Sequence, residues 1–91
     1  MKSREDLILK LLNETFHPLQ CQLVDESSLH VGHAGAASGG GHYRLRIVSA
    51  TFEGQNRLNR HRLVYDCLRD LMHTAIHAIA ISAMAPSEVA N

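Results

Sequence analysis

Apolar side chains recur at helical spacing near the start of the chain. They are Leu7, Ile8, Leu11, Leu12 and Phe16. Ser3 and Asp6 stand three positions apart just before this repeat, an arrangement typical of a capped helix N-terminus whose early acidic residues suit the helix dipole. His17 and Pro18 end the repeat, because proline disfavours helical backbone in the residue before it. The pattern therefore predicts a first helix that ends at about Phe16.

Two later segments alternate between apolar and polar residues, as half-buried strands do. The first is Leu19 to Asp25 and the second is Tyr43 to Ser49. In the second strand we place Tyr43, Leu45 and Ile47 on one face and Arg44, Arg46 and Val48 on the other. Residues 27–41 between the strands are rich in Ser, Gly, Ala and His and hold five of the six glycines. This composition predicts a mobile loop joining two antiparallel strands.

A second helix and a third strand follow. The helix is predicted from about Leu58 or Asn59 to Met72, and Ile76 to Ile81 alternates isoleucine with alanine, as a strand would. The buried stripe of the helix is predicted to be Leu63, Val64, Cys67, Leu68, Leu71 and Met72. Pro86 suits the first position of a terminal helical turn. The order α-β-β-α-β predicts an α+β sandwich, with helices covering one face of a three-stranded sheet.

Length and charge narrow the class of protein. A chain of 91 residues is expected to form one domain spanning residues 1–91, with 27–41 as a flexible loop and 86–91 as a turn or tail. Nine basic and nine acidic residues give a formal charge of zero, so any basic site must be local. The longest apolar run, Ile76 to Ala85, is about half of the ~20 residues that a membrane helix needs. A soluble cytoplasmic protein is expected.

Enzyme motifs are absent from the sequence. It has no serine elbow, no paired carboxylate spacing and no CxxC. Cys21 and Cys67 lie far apart and are predicted to be reduced thiols that contribute to the core. The sequence therefore favours a protein without catalytic activity.

The seven histidines offer most of the candidate chemistry, because imidazole is the commonest metal ligand and titrates near neutral pH. His77 begins an apolar run and is either a metal ligand or a strand histidine bonded to a backbone carbonyl. His30 and His33 are either solvated loop residues or a weak metal-binding pair. For His42 a structural hydrogen bond at the loop end competes with a place near the metal site. His17 and His73 are expected to be structural residues at helix ends.

A basic cluster begins the second predicted helix. It consists of Arg57, Arg60, His61 and Arg62. Helix N-termini attract anions, so this cluster is either a binding site for a phosphate, an acidic partner or nucleic acid, or a solvated first turn.

Five ordered segments resemble the BolA family. They are Val24 to His30, Gly41 to Ser49, Phe52 to Gly54, Asn59 to Tyr65 and Ile76 to Ile81. The resemblance implies a fold similar to class II K-homology domains. It also implies a non-catalytic adaptor that pairs with a monothiol glutaredoxin and shares a bridging [2Fe-2S] cluster, with glutaredoxin and glutathione supplying thiolates.

In this resemblance His77 matches the histidine of the last-strand motif. The loop ligand is His30 when the motif is counted from Asp25, and His33 when it is counted back from His42. Two imidazoles alone leave a cluster under-ligated, so no cofactor is expected in the isolated chain.

The rival expectation is a DNA-binding transcriptional regulator that uses the basic helix start. The sequence lacks the GxxG loop with which K-homology domains clamp nucleotides, and it has few aromatic residues for base stacking. No membrane partner is expected, and a weak homodimer stays an open alternative.

Overall fold

The computed structural model describes residues 3–27 and 41–89, and its elements follow the predicted order. The helices are α1 (Arg4–Phe16) and α2 (Arg57–Cys67), and the strands are β1 (Gln20–Asp25), β2 (Gly41–Val48) and β3 (Ile76–Met84). The central strand β2 pairs antiparallel with β1 and parallel with β3. The predicted α+β class, the three-stranded sheet and the antiparallel first pair are confirmed. Most of the predicted loop at 27–41 lies outside the described residues.

Helix α1 begins and ends where the sequence predicts. The Asp6 N–H donates to Ser3 Oγ at 3.1 Å, and the Ser3 N–H donates to Asp6 Oδ2 at 3.3 Å. At the other end His17 adopts a left-handed conformation with φ of 43°, and its N–H donates to the Asn13 carbonyl at 3.0 Å. Both ends thus satisfy backbone groups that a helix terminus leaves open.

One apolar core lies between the helices and the sheet. Leu45 and Ile47 on β2 are fully buried, whereas Arg44, which points to the opposite face of the same strand, is exposed. The helices therefore cover only one face of the sheet. The other main core residues are Ile8, Leu12, Phe16, Phe52, Val64, Leu68, Ile76 and Ile79. Each large apolar side chain buried in this way contributes about 1.5–3 kcal/mol relative to an exposed position.

Some predicted boundaries need correction. Helix α2 ends at Cys67 rather than Met72, and Arg69–Leu71 forms a separate 3₁₀ turn. Strand β3 continues to Met84, three residues beyond the prediction. Strand β2 begins at Gly41 instead of Tyr43, and Val48, which we placed on the polar face, is only 2% exposed. The predicted terminal turn is present as a 3₁₀ turn over Pro86–Glu88.

Ser49, which directly follows β2, joins the ends of α1, β2 and β3. Its Oγ donates to the Phe16 carbonyl at 2.7 Å, and its N–H donates to the Met84 carbonyl at 3.0 Å. The rings of Phe16 and Phe52 pack beside it with centroids 5.2 Å apart. Within the residues described, no helix is both long and apolar enough to cross a membrane.

Candidate functional site

Two histidines meet where β2 and β3 begin. The ring centroids of His42 and His77 lie 4.9 Å apart, with an angle of 40° between the ring planes. Because β2 and β3 run parallel, their first residues lie at the same end of the sheet. Gly41 pairs with Ile76 while His42 pairs with Ala78, so the register shifts by one residue at His77. Such a bulge redirects a side chain, and here it accompanies the contact between the two rings.

The segment that carries His30 and His33 is anchored at both ends beside this pair. On one side the Ser27 N–H donates to Asp25 Oδ1 at 2.8 Å. On the other side the His42 N–H donates to Ser27 Oγ at 3.0 Å, and the Glu26 N–H donates to the His42 carbonyl at 2.7 Å. His30 and His33 themselves lie outside the described residues. Their choice as loop ligand therefore stays a prediction, while the anchoring of the segment beside His42 is observed.

Gly41 allows the backbone to pass close to a buried ring. Its N–H donates to the Ala75 carbonyl at 3.0 Å, which fixes the start of β2 against the approach to β3. A Cβ atom at this position would lie 2.5 Å from Cε2 of Tyr43, and Tyr43 is only 4% exposed. Glycine is thus required here by a close approach rather than by an unusual backbone angle.

Charge around the anchored segment is set by Asp25. Hydrogen bonds from the Ser27 side chain and backbone lower the pKa of Asp25. Burial raises the pKa of Tyr43, and the Asp25 carboxylate adds to this increase. At neutral pH the start of the segment therefore holds a carboxylate, and the buried phenol beside it stays neutral.

The described residues supply imidazoles but no complete metal site. No group of three or more His, Cys, Asp or Glu side chains in ranges 3–27 and 41–89 is arranged to hold a metal ion. A [2Fe-2S] cluster takes four ligands, and imidazole replaces two of the thiolates in Rieske centres. The donor type at His77 therefore fits a shared cluster, provided that further ligands come from residues 28–40 and a partner.

The two cysteines do not join this site as reactive groups. Both are free and partly buried, and both pack against the core. Burial raises the pKa of the Cys21 thiol, which keeps it protonated. The Cys67 thiol donates to the Leu11 carbonyl at 3.4 Å.

The basic cluster of α2 separates into residues with different surroundings. Arg60 is held in place by hydrogen bonds. Its guanidinium donates to the Ala83 carbonyl at 3.0 Å and to both carboxylate oxygens of Glu88 at 2.6 and 3.2 Å. The hydrogen bonds between Arg60 and Glu88 raise the pKa of Arg60 and lower that of Glu88. Arg57 and Arg62 are exposed, and His61 is partly buried. A role for the cluster in partner or nucleic-acid binding stays a prediction.

Arg57 and His61 line a groove in the described structure. With Arg60, Ile81 and Ala83 they line an open groove of about 520 Å³ between α2 and β3. The groove includes neither imidazole of the pair. The candidate functional residues thus lie in two separate places, the imidazole pair at the start of β2 and β3 and the groove between α2 and β3.

The sequence left two alternatives for His42, a structural hydrogen bond at the loop end or a place near the metal site, and it named no residue in contact with its ring. The structure brings the rings of His42 and His77 together. The usable signal was the position of His42 at the start of a strand, directly after three glycines. That signal becomes informative only when the parallel pairing of β2 with β3 is known.

Comparison with known proteins gives concordant matches. The family model described as BolA-like protein matches residues 12–88. Among solved structures, BolA1 from Arabidopsis thaliana is 32% identical with a TM-score of 0.84, and the match covers 99% of this chain and 100% of that one. The BolA domain of SufE1 from Arabidopsis thaliana is 37% identical with a TM-score of 0.85, covering 98% and 99% of the two chains.

Some curated relatives are longer than this chain. SufE-like protein 1 of Arabidopsis thaliana is 38% identical over 92 residues, which cover 96% of this chain but 25% of that protein. The DNA-binding transcriptional regulator BolA of Escherichia coli is 39% identical over 70 residues, covering 77% of this chain and 64% of the regulator. The shared region is therefore one domain that occurs in proteins of different length.

Proposed function

Because this chain belongs to the BolA family, we propose that it is a non-catalytic adaptor that pairs with a monothiol glutaredoxin and co-ligates a bridging [2Fe-2S] cluster. The observation that carries the proposal is the position of His77. Its ring lies against His42 at the point where the segment bearing His30 and His33 re-enters the sheet. The imidazole of His77 at the start of β3 and a second imidazole from this segment would then come from neighbouring parts of the fold, and both could bind one cluster.

The proposal gives each group a distinct task. His77 is held by β3 and supplies one imidazole nitrogen, and either His30 or His33 supplies the second ligand. Glutaredoxin and glutathione contribute the thiolates, because the described part of this chain offers no cysteine beside the imidazole pair. The cluster is the cargo shared by the two proteins. His42 packs against His77 and acts as a positioning residue that restricts the orientation of the ring.

The ligand role of His77 is testable by spectroscopy. Mixing the chain anaerobically with cluster-loaded glutaredoxin should change the visible absorption and circular dichroism, because imidazole replaces thiolate at iron. His77→Ala should abolish most of this change. His73→Asn is the control, since His73 is exposed, lies outside the imidazole pair and has a left-handed backbone with φ of 66° that asparagine tolerates. If His77→Ala gives the same spectral change as the unmodified chain, His77 is not a ligand.

The same spectra separate the remaining histidines. His30→Ala and His33→Ala, measured individually, should differ, and only the variant lacking the loop ligand should lose the change. His42→Phe keeps a ring beside His77 but removes both nitrogens. If His42 only positions His77, His42→Phe should retain the spectral change.

A second candidate is a DNA-binding transcriptional regulator. Two observations favour it: the similarity to the DNA-binding transcriptional regulator BolA of Escherichia coli, and the exposure of Arg57 and Arg62 at the start of α2. Against it, Arg60 is held by Glu88 and the chain has no net charge. We therefore rank DNA binding below the adaptor role.

A further inference from the structure

The outer edge of β3 leaves part of its backbone open. The Met84 carbonyl accepts the Ser49 N–H on the side of β2. Since backbone groups alternate in direction along a strand, Ile79, Ile81 and Ala83 direct their N–H and C=O groups away from the sheet. This edge is the one that borders the groove beside α2.

Side chains of α2 cover two of the three outward positions. Tyr65 Oη donates to the Ile79 carbonyl at 3.5 Å, and Arg60 Nη1 donates to the Ala83 carbonyl at 3.0 Å. In the ranges that the structure describes, no side chain makes a hydrogen bond to the backbone of Ile81. Ile81 therefore presents its N–H donor and its C=O acceptor to the groove. On either side of it, the carbonyls of Ile79 and Ala83 already accept hydrogen bonds from α2.

The helix wall of the groove is positively charged. Arg57 is exposed and takes part in none of the salt bridges among the described residues. It begins α2, where the helix dipole adds positive potential. His61 lies one turn further along the same wall. Glu88 sits at the end of the groove, but its carboxylate is engaged by Arg60.

We propose that this groove binds an extended acidic peptide segment, which adds to the outer edge of β3 as a fourth strand. The peptide backbone would exchange hydrogen bonds with the N–H and C=O of Ile81, and a carboxylate side chain would face Arg57 and His61. Strand addition of this kind derives affinity from main-chain hydrogen bonds and specificity from side-chain contacts. The groove volume of about 520 Å³ lies within the usual range for ligand sites.

Backbone chemistry favours a peptide over DNA at this position. The Ile81 C=O needs a donor, and a DNA phosphodiester backbone has acceptors only. A second peptide chain carries both a donor and an acceptor at matching spacing. The proposal concerns the α2 and β3 groove alone, and it goes beyond the cluster-sharing role assigned to His77.

An NMR titration tests the proposal directly. The probe is an acetylated and amidated eight-residue peptide of alternating valine and glutamate. Its addition should shift the backbone amide signals of Ile81 to Ala83 and slow hydrogen exchange of the Ile81 N–H. A peptide of the same sequence with an N-methyl group on every residue has no backbone N–H donor on either edge and should bind at least about tenfold more weakly. Equal binding by the two peptides would exclude strand addition.

Two charge-reversal variants test the acidic preference. Arg57→Glu should raise the Kd of the acidic peptide about fivefold or more, because it replaces a positive charge that attracts the peptide carboxylates with a negative charge that repels them. Arg62→Glu changes the charge of the same helix at an exposed position outside the groove lining, and should leave Kd within about twofold. If both variants weaken binding equally, the groove wall does not select the peptide.

Alternative occupants give different outcomes in the same spectra. If an oligothymidine strand shifts the Ile81 to Ala83 signals and the peptide does not, the groove is a nucleic-acid site. If these signals move with protein concentration and not with added peptide, the occupant is a second copy of the chain. His77→Ala should retain peptide binding, so failure of the cluster proposal and failure of this one are distinguishable.

Discussion

Gly41 has a steric role at the start of β2, where its missing side chain leaves room for the ring of Tyr43. Gly41→Ala should destabilise the fold by about 1–3 kcal/mol, because the buried ring has to shift to admit the new methyl group. Urea denaturation monitored by circular dichroism would measure the free energy of unfolding.

A double-mutant cycle isolates the steric cause. Replacing Tyr43 by Leu removes the ring atoms that a Cβ at Gly41 would meet. The cost of Gly41→Ala should then fall in the Tyr43→Leu background. An unchanged cost would show that alanine at this position destabilises the protein for another reason.

His77 illustrates how far a single residue can be predicted. Its place in a strand and its match to a family motif are evident from the sequence. Its contact with His42 depends on the parallel pairing and on a one-residue register shift, which arise from packing between distant segments. Neither is encoded in the local alternation of apolar and polar residues. The sequence could therefore name the candidate ligand, but it left the position of His42 near the metal site as one of two alternatives.

At the level of elements, the Arg60 and Glu88 pair joins α2 to the terminal turn. Hydrogen bonds from Arg60 and from the Ala85 N–H lower the pKa of Glu88 below its ordinary value of 4.5. A depressed carboxylate pKa stabilises the folded state above the ordinary value, and this contribution is lost as the pH falls through the folded-state pKa. Acid should therefore release this connection.

Melting temperatures measured between about pH 7 and pH 3 test this linkage. Glu88→Gln should melt at a lower temperature than the unmodified chain near neutral pH, and the difference should shrink as the pH falls below 4.5. Glu14→Gln is the control, because the Lys10 and Glu14 pair is exposed and separated by 4.0 Å. A pH-independent difference for Glu88→Gln would rule out the proposed ion-pair contribution.

The end of α2 shows why element boundaries were harder to predict than element types. Leu68 is fully buried, and Leu71 and Met72 still pack against the core after the helix has ended. Apolar spacing is similar in an α-helix and in a following 3₁₀ turn, so the pattern ran on to Met72. The end of α1 was clearer, because Pro18 constrains the backbone of His17 directly.

For the whole molecule, zero net charge bears on the regulator hypothesis. Without a net positive field, nonspecific attraction to DNA is weak and any binding must come from the local α2 cluster. Gel-shift assays across a salt series should show no retarded band at about 150 mM salt. A sequence-dependent shift that persists at this salt concentration and is reduced by Arg57→Glu would favour the regulator function instead.

The molecule as a whole was more predictable than its site. Alternating residues, helical spacing and capping signals predicted each α-helix and strand of the described ranges and their order. The helices cover one face because Leu45 and Ile47 alternate with Arg44 and Arg46. The direction of β3 and the groove beside it follow from the path of the chain through α2, which local patterns do not specify.

Because β3 pairs with β2 in parallel across the intervening helix, we expect β3 to join the sheet late in folding. Helix α1 and its capping hydrogen bonds join residues that are close in sequence. Leu45 pairs with Ile81, and this contact requires the chain between them, including α2, to cross from one strand to the other. Loop-closure entropy must be overcome before such distant contacts stabilise the chain. During synthesis, His42 would therefore emerge well before His77. The paired imidazoles would form only after the core had closed around Ile76. If the chain shares a cluster as proposed, only chains that have finished folding would accept it.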